Sequence, residues 1–260
     1  MCSSDLLGKV TDSFDSTVAE ARVMQCIDKT CQITDMRRVN ASINEVHVYL
    51  GGDMVEGEDI FPGQPHEIEA SVFDQACLIG PRIYSSAILA LLGKFDKVVV
   101  CCVPGNHGRN SKHAAKRTNW DQVLYHSLRA WLGNRLEGRL DFVIADRFWI
   151  VDNVLGHGNL LVHGHQIRGG FAGFPWYGAA KKAWGWIDSI KAPWESLWFG
   201  HFHTPAMMTL GLRRAYANGT IESDNEYARE ELAACGTPCQ RLAFYDKKHG
   251  MIADHLLNLT

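Results

Sequence analysis

Four short apolar runs in this chain each stop at glycine accompanied by Asp, Asn or His, and that repeated ending limits the fold more than any other feature. Glu45–Leu50 runs into Gly51-Gly52-Asp53, and Lys97–Val103 into Pro104-Gly105-Asn106-His107-Gly108. Asn159–Val162 runs into His163-Gly164-His165, and Leu197–Phe199 into Gly200-His201-Phe202-His203. Short β-rich runs bounded by glycine read as strands. KVVVCCV shows no alternation of apolar and polar residues, as expected of a strand covered on both faces. In layered α/β folds ligands bind beyond the carboxyl ends of strands. Asp53, Asn106, His107, His163, His201 and His203 are therefore expected to meet in space although they lie far apart in the chain.

The segments between these runs alternate with them. Ser13–Arg38 and Glu67–Leu92 read as helices, the second with a distortion at Gly80-Pro81, and Met54–His66, rich in glycine, proline and acids, as a loop. Lys112–Leu132 reads as helix and Asp141–Val151 as one or two strands. Phe171–Trp198 is an insert with a helical centre that holds five of the eight tryptophans. Residues 207–260 read as a C-terminal extension of short strands and turns, with an acidic helical stretch around Glu222–Ala234. With 260 residues the expectation is one α/β domain, residues 1–260, with the insert at 171–198.

A formal net charge of −3, with 21 % charged residues, excludes a protein that grips nucleic acid with its whole surface but leaves room for one basic stripe. The longest apolar run, Ile83–Gly93, is shorter than a membrane span requires. The first residues carry neither a basic nor an apolar signal segment. The eight cysteines form no C-x-x-C pair, and no second half of a zinc site accompanies Cys235 and Cys239. Reduced thiols in a cytoplasmic protein are the expectation.

Oxygen and imidazole donors at converging strand ends suit Mn²⁺, Fe²⁺ or Zn²⁺. A carboxylate can bridge two such ions, and an ion pair of that kind clamps the attacking and leaving oxygens of a phosphoester. The residues alone thus point to a two-metal phosphoester hydrolase. Each residue also has a plainer reading, a turn residue or a satisfied histidine; the ordered set favours the site. Ser4-Asp5-Leu6-Leu7-Gly8, Gly52-Asp53, Gly105-Asn106-His107-Gly108, Val162-His163-Gly164 and Gly200-His201-Phe202-His203 resemble, in order, the motifs of the calcineurin-like metallophosphoesterase superfamily. The resemblance spans residues 4 to about 204. The stretches GDMVEGEDIFPGQ, GNHGR and VHGHQIRGG look like the branch carried by bacteriophages and prophages, whose products act in the host cytoplasm.

The resemblance implies a four-layer α-β-β-α sandwich of two mixed sheets with metals at the strand ends. It implies Asp5 and His203 on a first ion, Asp53 bridging, and Asn106, His163 and His201 on a second. Manganese leads among the candidate ions, ahead of iron, zinc and magnesium. His107 would act at the leaving oxygen, with a metal-activated water as nucleophile. Two residues depart from the pattern. Leu7 stands where the family has a histidine ligand, which weakens the first site. Gly108 stands where it has an acid that orients the preceding histidine. The family's first strand should also precede Asp5, and only four residues do.

For the substrate, Arg109, Lys112, His113, Lys116 and Arg117 read as a solvated helix face or as phosphate contacts. Arg168 and His165 are candidates on the substrate side, and His165 is also a spare ligand. The acidic loop at Glu56–Asp59 reads as a solvated loop or as a bystander that helps set the metal geometry. The Trp-rich insert reads as a packing cap, a homodimer contact, or a stacking platform for unpaired bases. A phosphodiesterase or nuclease acting on DNA is the leading expectation. A small phosphodiester or phosphomonoester, including nucleotides, is the first alternative. A degenerate, non-catalytic binder of nucleic acid or protein, motivated by Leu7, Gly108 and the short N-terminus, is the second.

Overall fold

A computed structural model describes residues 5–111, 113, 118–136, 138–169, 174–224 and 236–260. Its elements are α1 (Ser16–Arg38), β1 (Glu45–Leu50), α2 (Val72–Asp74), α3 (Gly80–Leu92), β2 (Lys97–Cys102), α4 (Trp120–Leu132), β3 (Leu140–Ile144), β4 (Trp149–Val154), β5 (His157–Val162), α5 (Trp176–Ser189), β6 (Ser196–Phe199), β7 (Ala206–Leu210), β8 (Arg213–Ala217), β9 (Cys239–Asp246) and β10 (Gly250–Asn258).

The strands form a sheet in the order β1-β2-β3, a second in the order β4-β5-β6-β8-β7, and a separate β9-β10 ribbon. The second sheet is mixed, as expected. The first is wholly parallel, because each connection between its strands passes through a helix, and a crossover of that kind returns the chain in the same direction. The β9-β10 ribbon is antiparallel and belongs to neither sheet.

Alternation along the strands builds the layers. Val98, Val100 and Cys102 of β2 face an apolar cluster with Val23 and Ile27 of α1, Ile83 and Leu91 of α3, and Leu124 and Leu128 of α4. Val99 and Cys101 face the opposite way, against Ile150, Leu161, Trp198 and Tyr216 of the second sheet. On that sheet's far side Leu160, Val162, Leu197 and Phe199 meet Ala179, Ala183 and Trp186 of α5. The order is helix, sheet, sheet, helix. A buried polar tie also joins the sheets: Asp152 of β4 accepts from Tyr49 at 2.8 Å and lies 2.6 Å from His47 Nδ1. None of the six described cysteines is in a disulfide.

Several boundaries differ from the sequence reading, each for a local reason. α1 begins at Ser16 because the Asp15 side chain caps it, accepting the Val18 N–H. Ser71 caps the helical segment that starts at Val72. Its distortion falls at Gln75–Ile79, a wider π-turn just before Gly80-Pro81; Pro81 has no N–H to give the carbonyl one turn back, and the Gly80 N–H bonds Gln75 O instead. α4 starts at Trp120, capped by Asn119. Lys112, Lys116 and Arg117 of the basic run lie outside the described residues, as do Phe171 and residues 225–235 of the acidic stretch. By length and composition Val72–Leu92 could cross a membrane, which the run Ile83–Gly93 alone did not suggest; 61 % of its most apolar window is buried inside the protein.

Candidate metal centre

The carboxyl ends of β1, β2, β5 and β6 come together, and glycines make that approach possible. Gly52 sits at φ 86°, and any Cβ there would collide with the backbone of Gly105. A Cβ on Gly105 would in turn collide with Asp53. Asp53, His201 and His203 themselves hold positive φ, at 53°, 70° and 52°. Such backbone conformations cost on the order of 1 kcal/mol each and persist where the surroundings over-determine them.

Asp53 is 1 % exposed and lies at the middle of the cluster. Its Oδ1 accepts the backbone N–H groups of Asn106 and His107 at 2.6 and 2.8 Å. Its Oδ2 lies 2.9 Å from His163 Nε2 and 3.9 Å from His107 Nε2. His163 Nδ1 lies 2.9 Å from the carbonyl of Gly51, so Nδ1 donates there, and Nε2 points at Asp53 Oδ2 and at Asn106 Oδ1, 3.0 Å away. One ligand atom from each of Asp53, His163 and His201 lies within 4.8 Å of the others. Acceptor atoms facing one another in a buried space are the arrangement that a shared cation satisfies. The set could hold one divalent ion.

The electrostatics agree. Burial would raise the Asp53 carboxyl, but the imidazoles of His163 and His107 outweigh it and hold the group well below the usual carboxylate range. Burial, with His163 adjacent, pushes His201 well below the ordinary imidazole value, leaving the neutral ring that a metal requires.

His107 is held differently. Its Nδ1 lies 3.2 Å from Glu56 Oε1, and its ring packs 4.6 Å from that of Phe61. Position 108 cannot supply the orienting acid, since a Cβ there would come within 2.7 Å of Asn119 Oδ1. Glu56, read as part of a solvated acidic loop or as a bystander to the metal geometry, instead holds His107 directly through Nδ1. Burial opposes the charged ring, but Glu56 and Asp53 prevail and raise the His107 pKa from 6.5 to about 9. A pKa raised on folding contributes stability that is complete below the unfolded value and is lost as pH climbs through the folded one. The metal-free protein is therefore expected to lose about 2–3 kcal/mol of unfolding free energy between about pH 6.5 and 9, after allowance for the 21 % of the side chain open to solvent. Urea denaturation at the two pH values measures this, and Glu56→Gln should remove most of the difference.

One residue of the site left no sequence signal. Asp121, fully buried in the first turn of α4, accepts backbone N–H groups from Met54 at 3.0 Å, Asp53 at 3.1 Å and Gly105 at 2.7 Å. It clamps the β1 and β2 loops together. Burial and the Asp53 charge raise its pKa to about 6.

The remaining expected residues sit around this centre. His165 lies 5.5 Å from the His163 ring, centroid to centroid, and 6.3 Å from that of His201. Arg109 is half-buried in a bridge to Asn119, and Arg168 is exposed in the loop before α5. Asp5 is fully buried; its Oδ2 accepts from Tyr84 at 2.5 Å and its Oδ1 lies 3.5 Å from Gln240 Nε2. Burial raises its pKa to about 6 against the Tyr84 bond. His203 Nδ1 lies 3.1 Å from Glu222 Oε2. Leu7 is fully buried in the apolar cluster. On α5, Gly178, Ala179, Ala183 and Trp186 pack inward, while Tyr177, Lys181 and Trp184 form an exposed stripe at i, i+4 and i+7.

No family model matches the chain, and no curated protein matches it. Solved structures do. The hypothetical protein PH1004 of Pyrococcus horikoshii OT3 is similar at 15 % identity over 92 % of this chain and 83 % of its own, with a TM-score of 0.46. A novel archaeal phosphodiesterase is similar at 9 % identity over 89 % and 91 %, with a TM-score of 0.41. The Zn²⁺ complex of Vps29 from Entamoeba histolytica is similar at 14 % identity over 62 % and 82 %, with a TM-score of 0.33.

Proposed function

We propose that the chain hydrolyses phosphoesters at a divalent ion held by Asp53, Asn106, His163 and His201, with a nucleic-acid phosphodiester, DNA first, as substrate and Mn²⁺ as the ion. The observation that carries the reading is the convergence of the Asp53, His163 and His201 donors within 4.8 Å, with the His107 ring beside them. A divalent ion there supplies Lewis acidity and a lowered pKa for a coordinated water.

The protein's own groups do the rest. Asp53 keeps its charge, fixes the loop after β2 through its Oδ1, and presents Oδ2 to the ion. His163 is oriented by the Gly51 carbonyl. His107 is held by Glu56 on its Nδ1, with its Nε2 turned toward Asp53. Glu56 favours the protonated ring, which places His107 as a general acid able to protonate the leaving oxygen. Arg109 and Arg168 would contact phosphate, and His165 would face the substrate. The exposed Tyr177–Lys181–Trp184 stripe favours an unpaired strand over a small phosphoester, because rings and ammonium groups together bind bases and backbone.

The test is hydrolysis of end-labelled single-stranded DNA with added Mn²⁺, with His107→Ala alongside. Wild type should cleave. His107→Ala should turn over roughly 10²–10⁴-fold more slowly with unchanged metal content. A fall in metal content would overturn the acid role. Cleavage of a nitrophenyl phosphodiester but not of DNA would shift the substrate to a small ester. No turnover of either, with nucleic acid still bound, would leave the non-catalytic reading.

A further inference from the structure

We propose that Gln64 is a positioning residue for the hydrolysis: its amide fixes the carboxylate of Glu56, and that carboxylate fixes the ring of His107. The inference rests on the reading of His107 as the acid at the leaving oxygen, and it names what holds that acid in place.

Gln64 is buried in the segment that follows Asp53, eight residues beyond Glu56. Its neighbours orient the amide. Oε1 accepts the backbone N–H groups of Ile60 at 2.7 Å and Phe61 at 3.2 Å. With the acceptor end taken by two donors, the Nε2 end is left to face acceptors. Both acceptors belong to Glu56: its backbone carbonyl, and its Oε1 at 3.0 Å. The same Oε1 lies 3.2 Å from His107 Nδ1 and accepts from it. Among the described residues every hydrogen bond of the Glu56 carboxylate falls on that one oxygen.

The main chain at Glu56 has anchors of its own. Its N–H donates to Gln75 Oε1 at 3.0 Å and to the Leu7 carbonyl at 3.2 Å. Gln75 is fully buried at the start of the π-turn, and its Nε2 donates to the Ala70 carbonyl at 2.9 Å. Gln64 is thus the group that fixes the side chain of Glu56. It also ties down Phe61, whose ring packs 4.6 Å from that of His107. The segment is pressed against His107, since Gly57 holds φ 85° and a Cβ there would collide with the His107 carbonyl. Without Gln64 the carboxylate on Nδ1 is free to turn, and the imidazole loses its fixed aim. A displacement of about 1 Å in a catalytic group costs on the order of 10²-fold in rate. Among the described residues no hydrogen bond joins Gln64 to Asp53, Asn106, His163 or His201, so the metal donors keep their partners.

The experiment compares two leaving groups on the full chain with Mn²⁺. Gln64→Met keeps the length of the side chain and removes its donor and acceptor. Its kcat on single-stranded DNA, where an alkoxide leaves and needs a proton, should fall about 10–100-fold with KM and metal content unchanged. Its kcat on a nitrophenyl phosphodiester, whose leaving anion needs no proton, should stay at the wild-type value. In a His107→Ala background Gln64→Met should slow DNA cleavage no further. In the metal-free protein the Nδ1 proton of His107, identified by its absence in His107→Ala, should give a resolved downfield NMR signal that Gln64→Met loses to exchange. Equal losses on both esters, a further loss in the His107→Ala background, or an Nδ1 signal that persists in Gln64→Met would each overturn the proposal. A wild type that cleaves neither ester would remove the acid role of His107 itself, a different failure. Gln64→Asn, whose shorter amide cannot span Ile60, Phe61 and Glu56 together, decides the same questions if Gln64→Met does not fold.

Discussion

Asp53→Asn should abolish Mn²⁺-dependent hydrolysis, by roughly 10³-fold or more, and remove the bound ion while leaving the fold in place. The two oxygens of Asp53 do separate work. Oδ1 accepts the N–H groups of Asn106 and His107, and an asparagine oxygen can go on doing so. Oδ2 brings the negative charge to His163 Nε2 at 2.9 Å, and an amide NH₂ placed there would aim donors into the space meant for a cation. Metal content by mass spectrometry, a melting curve and the hydrolysis assay together distinguish this from unfolding. A variant that keeps its ion and its rate would show that the centre lies elsewhere. Asp53→Ala should be worse for stability, because it also leaves two N–H groups of the β2 loop without their acceptor.

Asp121→Ala should be the most destabilising change at the site, by about 3–5 kcal/mol, and should weaken metal binding without touching a ligand. The carboxylate accepts from the backbone of Asp53, Met54 and Gly105, all in the interior. Those N–H groups cannot reach water when the acceptor is gone, so each is left with its desolvation cost. Asp53 has φ 53°, and the Gly105 loop is pinned against it; without the clamp the donor set loosens. Asp121→Asn should fall between, since its oxygen can still serve Met54 while its NH₂ opposes the N–H groups of Asp53 and Gly105. Urea denaturation measures the first effect and Mn²⁺ titration the second. A wild-type-like denaturation midpoint in Asp121→Ala would refute the clamp.

Both variants bear on how far the site was written in the chain. Asp53, Asn106, His107, His163 and His201 were legible because each stands at the end of a strand-like run with a glycine beside it or one residue away; local chemistry and local chain direction mark the same residues. The alternation of Val98, Val99, Val100 and Cys101 between two apolar clusters was legible as an unbroken apolar run. Asp121 was not, because its signal is a set of bonds to backbone groups 16 to 68 residues away. Glu56 looked like one acid in an acidic loop. Its partner His107 is 51 residues further on, and only the packed loops bring the two within 3.2 Å. Lys9 and Glu222, a buried ion pair at 3.1 Å, are further apart still in sequence, and nothing about either residue alone foretells burial.

The sequence by itself determined which residue types end the strands, and so the kind of chemistry the centre can support. Apolar periodicity pointed only to an α/β fold, and the layered sandwich was an expectation from the resemblance. Only the tertiary structure decided which charges face one another. That choice depends on where the loops after β1, β2, β5 and β6 and the C-terminal strands come to rest. A buried charge is tolerated by its neighbours in space, not by its neighbours in the chain.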